Sequence, residues 1–258
     1  MGITGLGDPL SRRLVVICHA APGAGAFDPD PLVTNEWGVR IVAPDRPGYG
    51  SSDPLDPGDD PLATWVADMS DYLSWVGLNA GSASIHSTSF GVIGWGAGSL
   101  FAVAFAAWHP ELVDRLVLVE PPAGGRPVPD GVMGSGPGRQ VRHRPGSEGL
   151  ADRWAYALEE SQRQGTIGLD TDRLAAEGGM DPEAVACIDA ETLLVCDDTD
   201  ESLAAGRWYH RRLGSSRGLR VPRSEGAAIV AAWPRILAHV APDHGGVPAQ
   251  LRSALANP

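Results

Sequence analysis

The chain has 258 residues, with 20 basic residues that are all arginine against 32 acidic ones, and a formal net charge of −12 at neutral pH. A surplus of that sign excludes nucleic acid and anionic membrane as partners held by charge. With 43% hydrophobic and 20% charged residues, it has the composition of a soluble globular chain long enough for one sizeable core. Cys18, Cys187 and Cys196 are widely spaced, and Cys18 and Cys196 sit in apolar, strand-like runs. Buried reduced thiols and a cytoplasmic location are expected. No stretch approaches the roughly 20 apolar residues of a membrane span, and the opening MGITGLGDPLSRR has no signal-peptide core. No metal and no cofactor are expected.

In chain order, RRLVVICHA predicts a buried strand over residues 14–19. Few residues precede it, too few for a hairpin. APGAGAFDPDP turns the chain towards a short helix ending near Trp37, and VRIVAPDRPGYGSSDP is a second strand with a Pro/Gly-rich exit. Val66, Met69, Leu73 and Val76 recur at helical spacing and predict an amphipathic helix over 62–76. Residues 90–95 make a third strand, Gly98 to His109 a nearly all-apolar and therefore buried helix, and DRLVLVEPP a fourth strand. Residues 123–149 are rich in glycine, proline and arginine without apolar periodicity, which predicts a mobile segment. Helical patterns return at 150–164 and near 171–188, and ETLLVCDDTD supplies a further strand. A helix around 203–213, a strand near 218–222 and a helix at 228–240 complete the pattern. Such alternation predicts an α/β fold, a mostly parallel sheet with helices on both faces. Residues 1–122 and 191–258 form its core, and 123–190 an inserted, partly mobile cap over the carboxyl edge of the sheet, where ligands of open α/β sheets bind.

Five stretches then stand together: CHAAPGAGAFDPDP, APDRPGYGSSDP, GWGAGS, HPELVDRLVLV, and the closing RWYHRRL with LRVPRSEGAAIVAAWPRILAHVAP. In order and spacing they resemble the α/β-hydrolase family over most of the chain outside the cap. That resemblance implies a catalytic triad of serine, histidine and acid. The serine belongs at the centre of a G-x-S-x-G elbow, and this chain reads Gly94-Trp95-Gly96-Ala97-Gly98. The acid belongs in the turn Asp197-Asp198-Thr199-Asp200, where Asp200 matches and Asp198 is its neighbour. The histidine belongs after VP in VPRSEGAAIV, where Gly226 stands. Loss of nucleophile or base alone costs a serine hydrolase about 10⁶-fold in rate, so a working serine hydrolase is excluded on this reading.

None of the seven histidines is a ready substitute. His109 and His239 are expected in capping or surface roles, His244 in the tail, His143 in the mobile segment, and His19 as a brace for the loop that follows it. Asp45 and Arg46 are expected to brace the same loop, and Glu120 to make a loop or cap contact. What the resemblance leaves is an oxyanion hole without a nucleophile. Its donors are amides of Ala20 or Ala21 and of the helix opening at Ala97, and its walls His19, Phe27, Trp95, Gly96 and, from the cap, Met133. Glycine at 96 and 226 should enlarge this pocket. Fixed donors of this kind stabilise an enolate as well as a tetrahedral oxyanion. The pattern of absences is similar to that of the aspartate epimerases of bottromycin biosynthesis, which implies a modified, macrocyclic peptide or another hydrophobic natural-product intermediate as partner. The epimerised Cα lies beside a thiazole or thiazoline, and the base is Asp200 or a carboxylate of the substrate itself. The alternatives are a ligand-binding pseudoenzyme without chemistry and a triad-less lyase or cyclase.

Overall fold

The computed structural model of the chain describes residues 1–76, 89–122, 124 and 149–242. His86, Met133, His143, His244 and the arginines at 139, 142 and 144 lie outside these residues, as does most of the segment 123–149. The described strands are β1 (Ile3–Gly7), β2 (Leu14–Cys18), β3 (Arg40–Pro44), β4 (Phe90–Trp95), β5 (Val113–Val119), β6 (Glu191–Cys196) and β7 (Ser216–Arg220). They form one sheet in the order β1-β3-β2-β4-β5-β6-β7. All neighbours are parallel except β1, which runs antiparallel to β3 from Ile3↔Pro44 to Gly7↔Arg40. This edge strand is the one element the sequence pattern missed. ITGLG holds two glycines, buries no residue fully and shows no period-two alternation.

The helices follow the apolar periodicity. α1 (Pro31–Trp37) and α2 (Pro61–Trp75) start with a proline behind an aspartate whose side chain accepts first-turn amides, Asp30 and Asp60 respectively. α3 (Gly98–Trp108) buries nearly its whole circumference. Between β5 and β6 lie α4 (Leu150–Ser161), α5 (Ile167–Glu177) and α6 (Pro182–Ala186), and α7 (Asp200–His210), α8 (Ala228–Ala231) and α9 (Trp233–Val240) follow β6. Two expected helices are divided. The run near 171–188 breaks at Gly178-Gly179, where Gly179 has φ +66°, and restarts behind Asp181-Pro182. The run at 228–240 breaks where Pro234 enters the first turn of α9, because proline has no amide hydrogen to continue the helix behind it.

Alternate residues of the strands feed two cores. Val16, Val92, Leu116 and Leu118 face Trp65, Phe101 and Phe105 of α2 and α3, while Val15, Ile17, Ile93, Val117 and Val195 face Trp37, Trp154, Trp233 and Ile236 on the other side. The arrangement leaves the carboxyl ends of β2, β4, β5 and β6 side by side, beneath α4 and α5.

Candidate functional site

β4 ends at Trp95, paired with Val119, and the chain turns into α3 through Gly96, whose φ is +54° and whose amide donates to the Val119 carbonyl at 2.9 Å. The three glycines of this turn are required for different reasons. A Cβ on Gly94 would come within 2.6 Å of the Ser99 Cα, and one on Gly98 would press on the carbonyls of Cys18 and His19. These two permit close approach of the helix to the sheet. A Cβ on Gly96 would meet nothing closer than the Ala20 Cβ at 3.6 Å, an ordinary contact. Space does not demand glycine at 96; only the left-handed backbone favours it. In the first turn of α3 the Ser99 and Leu100 amides already donate to the carbonyls of Gly96 and Ala97, both at 3.0 Å, which leaves the amides ahead of them, at Ala97 and Gly98, as the donors the turn can offer.

Across from the elbow, the loop after β2 is held from below. His19 is buried; its Nδ1–H donates to the Ala20 carbonyl at 2.8 Å and its Nε2 accepts the Arg46 amide at 3.4 Å, with the Tyr49 ring edge-on at 5.1 Å. Burial, and then the Arg46 charge, push its pKa well below the ordinary histidine value, so the ring is neutral and serves as a brace. The Arg46 guanidinium donates to the carbonyls of both His19 and Ala20. Its remaining donors grip Asp172 of α5, Nε to Oδ1 at 2.8 Å and Nη2 to Oδ2 at 2.6 Å, and the Tyr49 hydroxyl donates to the same carboxylate at 2.7 Å. Both side chains of the pair are 0% exposed. Burial works against the Arg46 charge, but Asp172 outweighs it and raises the pKa, so the guanidinium stays charged. Asp45 braces the next turns by accepting the amides of Gly25 at 2.8 Å and Ser51 at 3.1 Å.

Beside Ala20 runs a narrow cleft, with only about 10 Å³ of free space, whose walls include Ile17, His19, Phe27, Trp95 and Trp154. Three of these rings meet: Phe27 lies 5.5 Å from Trp95 and 5.3 Å from Trp154, and the two indoles are 5.6 Å apart. The expected roomy pocket is thus narrow among the described residues, because the volume beside the elbow is filled by aromatic side chains. Phe27 and Trp95 line this cleft and are themselves buried. Trp154 was not anticipated, although Leu150, Trp154, Ala157 and Ser161 form the buried stripe of α4 and mark the face that turns inward. Met133 lies outside the described residues.

The β6–β7 end is built differently. Asp200 is exposed in the first turn of α7, and Asp198 is also exposed, its carboxylate accepting the Arg223 amide at 3.2 Å. It is Asp197 that turns inward, accepting from the Thr199 amide at 3.0 Å and hydroxyl at 2.5 Å, with Arg223 Nε at 3.4 Å. Asp197 is the electrostatic neighbour of Glu120, the one described non-glycine residue with positive φ, at +47°. Burial, and then Asp197, lift the Glu120 pKa to about 7, while the Trp95 indole donates to its carboxylate. Gly226 follows a short 3-10 turn (Arg223–Glu225) with φ +98° and ψ −158°, a region of backbone space reserved for glycine.

The remaining candidates have structural partners. His239 is buried in α9, not capping or at the surface: its Nε2 donates to the Glu191 carbonyl at 2.8 Å and its Nδ1 accepts from Arg217 at 3.0 Å. His109 closes α3 and pairs with the Ser70 hydroxyl at 2.9 Å, and His210 pairs with Ser216 at 2.7 Å. Cys18 and Cys196 are buried, as expected, with burial lifting the Cys18 pKa to about 12; Cys187 is exposed. Among the described residues, no group of three His, Cys, Asp or Glu side chains is placed to hold a metal ion, and no helix is long and apolar enough to cross a membrane.

A family model described as alpha/beta hydrolase fold matches residues 13–142. No curated protein matches the chain. Among solved structures, an esterase from Exiguobacterium antarcticum is 17% identical with a TM-score of 0.67, covering 99% of this chain and 95% of its own. An esterase from a Rhodococcus species is 18% identical with a TM-score of 0.65, covering 99% and 94%. The enol-lactonase of Burkholderia xenovorans is 15% identical with a TM-score of 0.65, covering 91% of each chain. At these identities the likeness is one of fold.

Proposed function

Because the chain belongs to the α/β-hydrolase fold family, and because glycine stands where the family's motifs put serine and histidine, we propose that it is an epimerase and not a serine hydrolase. Its substrate is a modified, macrocyclic peptide, and it inverts the acidified Cα of an aspartate beside a thiazole or thiazoline, in the cytoplasm. The observation that carries this reading is the backbone at Gly226. With φ +98° and ψ −158°, that position suits no residue with a side chain, so the loop is built for life without an imidazole. The opposite half of the site keeps its order. The carbonyls of His19 and Ala20 are each held by Arg46, which supports Ala20 and Ala21 as fixed amide donors beside the opening turn of α3.

The chemistry asked of such a site is modest. The aspartate carboxylate of the substrate takes the proton from its own Cα, and the electron pair left behind is delocalised into the azole or carbonyl acceptor. Amides aimed at that acceptor stabilise the charge, as they would a tetrahedral oxyanion. A proton delivered by water to the opposite face completes the inversion, and the carboxylic acid releases the abstracted proton to solvent. Orientation and exclusion of water supply the rest, and the aromatic wall of Phe27, Trp95 and Trp154 suits a flat azole.

The test is incubation of the chain in D₂O with a synthetic peptide ending in an aspartyl-thiazole. One deuteron should enter at the aspartyl Cα, together with inversion. Rapid stoichiometric labelling by a fluorophosphonate probe would instead make the chain a serine hydrolase. A second reading, a binding protein without chemistry, draws on the same three rings packed into the cleft. It predicts quenching of tryptophan fluorescence by the peptide and no deuterium uptake.

A further inference from the structure

Helix α5 meets the candidate donors through three consecutive contacts. Asp172 binds two nitrogens of Arg46 and the Tyr49 hydroxyl. Leu169, three residues earlier, packs on Ala21 and Ala97, one from each side of the candidate oxyanion hole. Gly168 lies so close to the Tyr49 ring that a Cβ would reach its Cδ2 at 2.5 Å. Meanwhile Arg46 Nη1 donates to the His19 carbonyl, and the Ala20 carbonyl accepts from His19 Nδ1 at 2.8 Å with Arg46 Nη2 at 3.5 Å. A peptide unit is planar. Fixing the His19 carbonyl therefore fixes the direction of the Ala20 amide, and fixing the Ala20 carbonyl fixes that of Ala21.

We propose that Asp172 is a positioning residue: by orienting Arg46 it aims the amides of Ala20 and Ala21, and through its helix it seats Leu169 over them. The inference deepens the functional reading above and rests on it in taking those amides as donors to the substrate. Stability alone does not account for the pair. Both partners are fully out of water, and apolar residues of similar volume usually serve a core as well or better than a buried ion pair. What an apolar pair lacks is the planar fork, whose fixed donor geometry holds a carboxylate on one side while engaging two carbonyls with its other hydrogens. Cap and loop are thereby one unit: α5 does not leave its seat without releasing the loop, and the loop does not reorient without releasing α5.

Hydrogen exchange read by mass spectrometry on the full chain decides the matter. Asp172→Asn, which keeps the shape and removes the charge, should speed exchange in the peptides covering residues 19–25 and 167–177. The expected factor is about tenfold or more, as for a lost charge-assisted hydrogen bond; β4 and β5 should be unaffected. Tyr49→Phe, which deletes only the 2.7 Å bond to the carboxylate, should do the same more weakly and covers the case in which Asp172→Asn does not fold. The double variant Arg46→Met with Asp172→Leu separates positioning from support: its Tm should stay at or above that of Asp172→Asn while residues 19–25 remain fast. Wild-type protection of that loop in the double variant, or acceleration confined to α5 in Asp172→Asn, overturns the proposal. With the aspartyl-thiazole peptide in D₂O, Asp172→Asn should lower kcat for deuterium uptake and leave KM unchanged or reduced. Should the wild type take up no deuterium, the epimerase reading falls, and the exchange data still judge the link between α5 and the loop.

Discussion

The two halves of the sheet's carboxyl edge have been treated in opposite ways. At the β2–β4 end every turn is clamped: Gly94 and Gly98 stand where a Cβ would press into neighbouring backbone, Asp45 collects two amides, and Arg46 and His19 hold the carbonyls of His19 and Ala20. At the β6–β7 end the acid matched by sequence, Asp200, points to solvent, and Gly226 adopts a backbone that no imidazole-bearing residue occupies without strain. A site that had merely decayed would be expected to loosen throughout. Here one half of the edge is tied down by buried polar contacts, while the other carries an exposed acid and a glycine-only backbone; on the reading proposed above, the first offers the donors and the second has no base to supply. That is the arrangement expected where charge must still be stabilised but no proton shuttle is needed.

The sharpest way to break this contrast is Arg46→Ala. It leaves Asp172 out of water without its ion-pair partner, and strips the His19 carbonyl of its guanidinium donor. A loss of about 3–5 kcal/mol is expected for breaking one side of a buried pair, measured as the fall in urea unfolding free energy. Arg223→Ala at the other end removes a guanidinium whose side chain is 57% exposed and should cost no more than about 1 kcal/mol. Equal losses would mean that the two ends are equally braced and would remove the asymmetry.

Much of this was legible in the sequence. Long apolar runs, all round at 98–109 and one-sided at 62–76, have no other stable place than packed into the core. The elbow glycines and DRPG mark backbone turns whose geometry few residue types permit. The rest was hidden for identifiable reasons. β1 is stabilised by pairing with β3 and not by its own pattern, so ITGLG carried no signal. Asp172 sits within TDRLAAE, which reads as an exposed helical stretch until Arg46, 126 positions away, arrives to bury it. The choice of Asp197 over Asp200 depends on which way a turn faces, and adjacent aspartates in DDTD do not announce that. Trp154 belonged to a visible stripe, but its neighbours Phe27 and Trp95 came from other segments.

Glu120 provides a smaller effect and a test by pH. Its pKa is about 7 in the folded chain, raised by burial and by Asp197, against about 4.3 for an exposed glutamate. The folded state therefore holds this proton more tightly than the unfolded state. Its contribution to stability is fully present below the unfolded value and is lost as pH rises through about 7. The gap amounts to roughly 4 kcal/mol at most. His239 acts in the reverse sense, because burial and Arg217 lower its pKa to about 4, so its contribution is lost as pH falls. The two slopes oppose each other in the wild type, and a difference between chains isolates one of them. Glu120→Gln should match or trail the wild type near pH 4.5 and overtake it steadily towards pH 7.5 in urea melts. Parallel curves for the two chains would place Glu120 in water and dissolve the acidic pair with Asp197.

The smallest effects sharpen the comparison most directly, because they ask the same question of both glycines. At Gly96 a methyl group has room, with Ala20 at 3.6 Å, and the φ of +54° is one that ordinary residues visit at modest cost. At Gly226 the φ of +98° with ψ −158° lies where a Cβ clashes with its own backbone. Gly96→Ala should therefore cost about 1 kcal/mol, and Gly226→Ala about 2–3 kcal/mol, the upper part of the range for such strain. Thermal melts of the two single variants measure the difference. Gly96→Ser follows the first of these, and on the reading proposed above it should gain no turnover of p-nitrophenyl acetate. An inexpensive Gly226→Ala would mean that the loop after β7 readily takes a residue with a side chain. It would then still be shaped for the histidine it lacks, and the site would be a damaged hydrolase instead of one built for other chemistry.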